Sequence, residues 1–193
     1  KKITESLTRT SKMPGLSYSL PAWACQTGAK LRKIPSSPCF GCYALKGNYT
    51  RYPAIKAAQY RRLDAIDNPL WVTAMVTQIK RQKWFRWHDA GDLQSLEHMY
   101  KIIEVAKLTP DTQHWLPTQE RQYLPKPEDV PANLIIRLSA AKVNGTAGNA
   151  WSHSSTVVTD GSASCAAPDQ GGKCLDCRAC WDKSVPNVSY GKH

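Results

Sequence analysis

The placement of the cysteines constrains this chain more than any other feature of its sequence. Seven cysteines occur in 193 residues, and all of them lie in two groups near the ends of the chain. The N-terminal cysteine group is Cys25, Cys39 and Cys42, and the C-terminal cysteine group is Cys165, Cys174, Cys177 and Cys180. No cysteine occurs between the groups. We therefore expect a fold that brings two metal-binding loops onto one face.

The spacing within the C-terminal group favours an iron–sulfur cluster. Its last three members follow the pattern Cys-x2-Cys-x2-Cys, which resembles the ferredoxin-type spacing around a [4Fe-4S] cluster. Zinc sites more often combine two separate Cys-x2-Cys pairs. Zinc held by Cys39, Cys42, Cys177 and Cys180 is therefore the alternative, and unligated structural thiols are the third interpretation.

The N-terminal group offers three thiols, which would leave one iron of a four-iron cluster without a protein ligand. That iron could take a substrate, a small molecule such as S-adenosylmethionine, or Cys180 from the other group. Seven thiols accommodate two clusters, and they also accommodate one cluster with spare thiols. Spacing alone does not decide between these arrangements.

The net charge of +11 predicts attraction to polyanions. The chain carries 26 lysines and arginines against 15 aspartates and glutamates, a balance typical of proteins that contact nucleic acid. The basic residues concentrate in 30–33, 46–62 and 80–86, near the N-terminal cysteine group. The alternative is a solvated basic surface, partly neutralised by a negatively charged cluster.

The remaining composition indicates a single domain, spanning residues 1–193, whose cysteines are reduced. No apolar run approaches the roughly 20 residues that cross a bilayer, and the start, Lys1-Lys2-Ile3, does not resemble a signal peptide. An odd number of cysteines in a chain of this length favours free thiols in a cytoplasm over disulfides. We expect no membrane partner, and a cluster protein would need a redox partner.

Hydrophobic periodicity predicts alternating strands and helices. Residues 1–14 and the tail after Trp181 read as irregular, and 21–52 and 160–193 as Cys-rich segments. Helices are predicted from Pro53, after Pro69 with Val72, Met75, Val76 and Ile79 buried, and from about Leu93 with Leu96, Met99, Tyr100 and Ile103 buried. Strands are predicted at 16–20, 84–88, 113–118, 133–139 and 155–159.

This order predicts an α/β fold, an open or partial parallel β/α barrel. Ligands of such folds lie at the C-terminal ends of the strands. The strand ends carry the candidate acid–base residues His88, Asp89, Asp92 and Glu120. The alternative for Asp92 is the N-cap of the following helix. No phosphate-binding glycine loop and no nucleophile elbow is present.

Three motifs together resemble the phage family called gene product eighty-eight. They are Pro38-Cys39-Phe40-Gly41-Cys42-Tyr43-Ala44, Phe85-Arg86-Trp87-His88-Asp89-Ala90-Gly91-Asp92, and Gly172-Lys173-Cys174-Leu175-Asp176-Cys177-Arg178-Ala179-Cys180-Trp181. The resemblance covers about Pro14 to Trp181, and it implies expression in a bacterial host cytoplasm.

A second resemblance is to the radical S-adenosylmethionine superfamily. It implies a partial barrel with a three-Cys loop after the first strand, here Cys25, Cys39 and Cys42. Ala90-Gly91-Asp92 stands where that superfamily has a Gly-Gly-Glu-like turn, and the C-terminal cysteines would hold an auxiliary cluster. The chain departs from the superfamily in having thirteen residues between Cys25 and Cys39, where three are common.

Overall fold

The computed structural model describes residues 2–192, so Lys1 and His193, at the ends of the predicted domain, lie outside the described part. The fold is a seven-stranded sheet in which the strands follow one another in chain order. The first strand pairs antiparallel with the second, and every later pair is parallel. The strands are β1 Thr8–Arg9, β2 Leu16–Tyr18, β3 Trp84–Trp87, β4 Gln113–Thr118, β5 Leu134–Ser139, β6 Ser154–Val158 and β7 Asn187–Gly191.

Five α-helices connect the first half of the sheet. They are α1 Gln26–Leu31, α2 Asn48–Arg51, α3 Pro53–Ala65, α4 Trp71–Ile79 and α5 Leu96–Lys107. Parallel crossovers are almost always right-handed, so strands added in sequential order place their crossover helices on the same face of the sheet. Accordingly α4 packs beside α5, and both contribute to the main core.

The two faces of the sheet pack against different parts of the chain. Toward the helices, Phe85, Trp87 and Ile136 pack with Trp71 of α4 and Met99 of α5 in the main core. On the opposite face, the alternate strand residues Trp115 and Ile135 pack against Trp181, which follows the last cysteine. The C-terminal cysteine segment therefore covers the face that the helices leave open.

The sheet confirms the α/β class and all five predicted strands, with small changes of boundary. Two further strands were missed. β1 lies within residues 1–14 and β7 lies in the tail, so both predictions of irregular chain were wrong. The sheet runs from β1 at one edge to β7 at the other and is not closed.

The Cys-rich segment 21–52 is more regular than its glycines and prolines predict. It contains α1, α2 and the short 3₁₀ turns Ala22–Ala24 and Tyr43–Leu45. None of these elements has a periodic apolar face, so hydrophobic pattern could not reveal them. They are held by contacts with distant strand ends.

Helix α3 buries two polar side chains, and α5 buries two of its four predicted core residues. In α3 the buried residues are Gln59, Arg62 and Ala65, while Ile55 is exposed. In α5 the exposed residues include Leu96 and Tyr100, which the apolar spacing had placed in the core. Met99 and Ile103 are buried as predicted, and His98, Ile102, Val105 and Ala106 complete the buried face of α5. Among residues 2–192, no helix is long and apolar enough to cross a membrane.

Candidate metal centres

The N-terminal cysteine group is gathered around the start of α1. Cys25 immediately precedes this helix. A Cβ placed on Gly28, one turn along, would lie 3.7 Å from Cys25 Sγ and 3.9 Å from Cys39 Sγ, so both sulfurs flank one backbone position. Cys25 and Cys42 pack on the same small cluster of Ala22, Ala44 and Ala90. The structure therefore brings all three predicted ligands into one region.

Cys25 and Cys39 are poor nucleophiles as free side chains. Burial raises the pKa of Cys39 to about 11, and burial followed by the neighbouring Asp92 raises the pKa of Cys25 further. Reactive catalytic cysteines have lowered pKa values in electropositive surroundings. A bound metal would supply the positive charge that turns such thiols into thiolate ligands.

Glu120 fixes the helix that follows Cys25. Its carboxylate accepts hydrogen bonds from the backbone N–H groups of Gln26, at 3.1 Å, and Thr27, at 2.8 Å, and from the Thr27 hydroxyl at 2.6 Å. It thereby caps the positive end of α1 from the end of β4. Gln122 Nε2 donates a fourth hydrogen bond to the same carboxylate. Glu120 is fully buried, and its role in this arrangement is to position the cysteine segment.

Asp92 joins the ends of β3 and β4. It accepts hydrogen bonds from Leu93 N, Thr118 Oγ1 and Gln119 N at 2.6–2.8 Å. The interpretation of Asp92 as a helix N-cap was wrong, because α5 begins at Leu96 and Ser95 caps it through His98 N. Burial raises the pKa of Asp92 to about 7, against the opposing effect of these three donors. Asp92 is therefore poised to exchange a proton near neutral pH.

Asp89 ties the N-terminal cysteine segment to β2. Its carboxylate accepts hydrogen bonds from Ser17 Oγ at 2.7 Å and from Tyr49 Oη at 2.9 Å, and its carbonyl accepts one from the Tyr43 hydroxyl. Tyr43 follows Cys42 directly. Asp89 therefore links the residue next to a cysteine with the C-terminal ends of two strands.

His88 points away from the other candidates. Its backbone is left-handed, with φ at +53°, and its ring packs between Trp87 and the ring of His98, 5.4 Å away, on the helix side. Within residues 2–192, neither ring nitrogen has a hydrogen-bond partner. Burial, then His98, lowers its pKa well below the ordinary value. Only three of the four candidates share a site, and His114 also lies on the helix side, bonded to Thr109.

The C-terminal cysteine group surrounds one cavity on the sheet face opposite the helices. All four cysteines line this space, which measures about 20 Å³ and is otherwise almost wholly apolar. Cys165 N donates to Ser189 O of β7, and Cys174 N donates to Lys12 O, both at 2.9 Å. Cys180 Sγ lies 3.2 Å from the hydroxyl of Tyr190. The β7 strand, missed from the sequence, therefore holds this group in place.

A buried arginine anchors the turn that carries Cys180. The Arg137 guanidinium, in the middle of β5, donates to the carbonyl oxygens of Ala179, Cys180 and Asp182 at 2.8–3.0 Å and to that of Ser154 at 3.3 Å. Arg137 is fully buried, and burial lowers its pKa. An arginine inside the apolar run 134–138 was the one sequence signal of this role.

Arg86 is a second cation on the same face. Its guanidinium stacks over the ring of Trp115, 4.6 Å from the centroid, and contacts Met13 Sδ. Its Nε has no partner among the described atoms. Two ion pairs occur in residues 2–192, Arg61–Glu5 and Lys101–Glu97. Neither Arg86 nor Arg137 forms an ion pair in this part of the chain. Arg86 is half-buried, whereas Arg137 is fully buried, which is costly for a cation unless an anion approaches.

The sulfurs do not form a compact tetrahedron. Within residues 2–192, no group of three or more His, Cys, Asp or Glu side chains is close enough to hold a single metal ion. Thiolates around one zinc, with Zn–S bonds of about 2.3 Å, would lie about 3.8 Å apart. The cavity has room for about one water molecule, so a polynuclear cluster would require the cysteine side chains to move outward. The thiol ligands suit an iron–sulfur cluster, but the distances between the sulfur atoms would have to increase to accommodate one.

Fold and sites define an α/β protein with a three-cysteine site beyond its first parallel strands and a four-cysteine site on the second face of its sheet. The chain belongs to the Gene product 88 family, a family of phage gene products, whose model matches residues 1–164. The C-terminal cysteine group lies just beyond the matched residues. Comparison with curated proteins and with solved structures gave no match. The likeness to the radical S-adenosylmethionine superfamily therefore stays a prediction.

Proposed function

We propose that this chain is an iron–sulfur protein that binds two [4Fe-4S] clusters, one in each cysteine group. The observation that carries the proposal is the split of the seven thiols, four around one cavity and three around the start of α1. Four thiols complete the protein ligation of a cubane, whereas three leave one iron available. The six parallel strands in sequential order support the predicted open barrel as the scaffold.

The charges around the C-terminal group favour an anionic cluster. Thiolate-ligated clusters are net negative, and the cations Arg86 and Arg137 lie near enough to Cys180 to stabilise negative charge on its sulfur, while neither forms an ion pair within residues 2–192. The hydroxyl of Tyr190 can donate to the Cys180 sulfur, a contact that raises the reduction potential of a cluster. We assign this site to electron transfer, with an external redox partner as the source of electrons.

The N-terminal group is the better candidate for chemistry on a bound molecule. A cluster there would supply an open iron position for a small ligand, and S-adenosylmethionine is our candidate. Asp92 lies beside this group. Its pKa of about 7 leaves the carboxyl partly protonated at neutral pH, so it could hold a proton for a polar ligand. Glu120 and Asp89 keep the cysteine segment in place. The reducing host cytoplasm expected for a phage protein would keep the thiols from forming disulfides.

Electron paramagnetic resonance of the anaerobically purified, dithionite-reduced protein tests this proposal. We expect two cluster signals, of which one shifts when S-adenosylmethionine is added. Cys39→Ser should remove the shifting signal, and Cys177→Ser should remove the other while preserving the shift. One electron from dithionite would cleave S-adenosylmethionine to methionine and a 5′-deoxyadenosyl radical, and recovery of methionine with 5′-deoxyadenosine, formed when that radical takes a hydrogen atom from a substrate or the buffer, would show cleavage. A colourless protein that contains zinc and no sulfide would favour the structural zinc alternative.

A further inference from the structure

Nearly all of the excess of positive over negative charge in this protein lies in one continuous part of the chain. Between Glu5 and Asp64 there is no acidic residue, and ten lysines and arginines occur there. The remaining 16 basic residues nearly balance the 15 acidic ones. Almost the whole net charge of +11 therefore belongs to the stretch that contains the N-terminal cysteine group.

Most of these cations face solvent without an acidic partner. The exposed members of the stretch are Arg9, Lys12, Lys30, Lys33, Lys46, Arg51, Lys56 and Arg61. Among the residues that the structure describes, Arg61 is the one member that forms an ion pair, with Glu5. The acids closest to the cysteines, Asp89, Asp92 and Glu120, are buried and bonded to their own chain. The surface around the site is thus left with uncompensated positive charge.

Exposed aromatic rings lie between these cations. Trp23, Phe40 and Tyr43 are 54%, 49% and 58% exposed, and each is within two residues of a cysteine of the N-terminal group. Tyr52 is similarly exposed, with the Arg51 guanidinium 6.0 Å from its ring. The Arg32 guanidinium lies 5.1 Å from the ring of Trp23. Large rings left in water beside cations are costly to a surface that has no partner to receive them.

The segment packs as one unit, so these rings and cations border the same site. The 3₁₀ turn Ala22–Ala24 contacts the turn Tyr43–Leu45, which in turn contacts α2. Lys46 Nζ would lie 3.9 Å from a Cβ on Gly41, next to Phe40. Charge complementarity identifies the partner as a polyanion, and the exposed rings identify it as one with accessible flat groups. A single-stranded nucleic acid has both, because its unstacked bases can lie on aromatic side chains.

We infer that the surface formed by residues 22–56 binds single-stranded nucleic acid and presents it to the N-terminal cysteine site. The phosphates contact the lysines and arginines, and the bases stack on Trp23, Phe40 and Tyr52. Duplex DNA fits less well, since its bases are stacked within the helix and reach a protein only through the grooves. The inference rests on the proposed function for the chemistry at the site, whereas the binding itself requires only the surface.

The test is a binding titration with full-length, anaerobically purified protein. The probe is a fluorescent thymidine oligonucleotide of about 20 nucleotides, long enough for one binding site. A duplex of the same length and poly-glutamate are the competitors. We expect tighter binding of the single strand than of either competitor, and an affinity that falls steeply as salt increases.

Two variants separate charge from stacking. Lys30→Ala/Lys33→Ala/Lys46→Ala should lower the slope of log affinity against log salt by about two, since each contact with a single strand contributes about 0.7. Trp23→Ala/Phe40→Ala should weaken binding by roughly tenfold per ring and leave the slope unchanged. The matched controls are Lys107→Ala/Lys126→Ala/Lys142→Ala and Leu70→Ala/Leu108→Ala, exposed residues outside the stretch. We expect both controls to bind like the unmodified protein.

Three results would overturn the inference. They are no binding at about 50 mM salt, equal affinity for duplex or poly-glutamate, and an equal loss of affinity in the control variants. Iron and sulfide are counted on each sample. Iron without binding defeats this inference alone, and binding without iron defeats the proposed function alone.

Discussion

At the scale of single residues, Gly91 determines how closely the β3 end approaches β2. Its φ is +79°, and a Cβ at this position would lie 2.6 Å from Leu20 Cβ and 2.8 Å from the Leu20 carbonyl. The neighbouring Ala90 carbonyl accepts a hydrogen bond from Leu20 N at 2.8 Å. The turn that carries Asp89 and Asp92 can therefore rest on the first parallel strand only if residue 91 lacks a side chain.

We predict that Gly91→Ala lowers the free energy of unfolding by about 2–4 kcal/mol, the sum of a left-handed backbone and overpacking. Gly148→Ala is the matched control, since Gly148 has φ at +74° and no atom within 4 Å of its Cβ position. It should cost about 1 kcal/mol. Urea denaturation measures both, and equal losses would show that the contact with Leu20 is unimportant.

Buried histidines make the free energy of unfolding depend on pH. Burial lowers the pKa of His98 and His114 to about 3, below the 6.5 of the unfolded chain. Their contribution to stability is complete above pH 6.5 and is lost as the pH falls from 6.5 toward 3, because only the unfolded chain takes up protons there.

His114→Gln should make this loss shallower. The Thr109 hydroxyl donates to Val105 O and lies 2.9 Å from His114 Nε2, and a glutamine amide could replace that nitrogen as donor. Below pH 6 we expect the free energy of unfolding of the variant to fall less steeply than that of the unmodified protein, by up to about 1.4 kcal/mol per pH unit. Urea denaturation between pH 7 and about 4.5 provides the comparison, and parallel curves would contradict the assignment.

At the scale of elements, β5 holds the C-terminal cysteine segment through Arg137. Arg137→Met would leave the carbonyls of Ala179, Cys180, Asp182 and Ser154 without their donor. We predict a loss of at least about 3 kcal/mol in the free energy of unfolding and loss of the C-terminal cluster signal. The N-terminal signal should remain. Arg121→Met, at an exposed position, is the control. Retention of both signals in Arg137→Met would contradict this role.

Sequence reasoning succeeded where an element has its own pattern. The apolar run at 134–138 and the helical spacing that includes Met75 and Ile79 each identify a buried element, although Trp71 is buried in place of the predicted Val72 and Val76. It failed where a distant contact decides the structure. Nothing in residues 26–31 shows that Glu120 caps α1, and nothing in the two-residue β1 shows that it pairs with β2. The spacing predicted that the cysteines form two groups, whereas the cations and Tyr190 around them were not predictable.

At the scale of the whole molecule, the two faces of the sheet are covered by different kinds of structure. Helices α3, α4 and α5 cover one face, and the C-terminal cysteine segment covers the other without a regular helix of its own. Stability of that second face therefore depends on what holds the cysteines together. Ligands that bind only the folded state raise its stability by mass action.

Removal of the proposed clusters should destabilise the protein as a whole. We predict that treatment with ferricyanide and a chelator lowers the Tm by about 5 °C or more, since 1 kcal/mol corresponds to about 2–4 °C at this chain length. Differential scanning calorimetry before treatment, after it, and after anaerobic reconstitution measures the change. An unchanged Tm would mean that the cysteines do not support the fold through a bound group.

The measurement that tests the central claim most directly is the iron, acid-labile sulfide and zinc content per chain after anaerobic purification. We predict about eight iron and eight sulfide for the unmodified protein, that is, two four-iron clusters. Cys25→Ser/Cys39→Ser/Cys42→Ser and Cys174→Ser/Cys177→Ser/Cys180→Ser should each retain about four of both. One zinc without sulfide, or loss of all iron in both variants, would contradict two independent cluster sites.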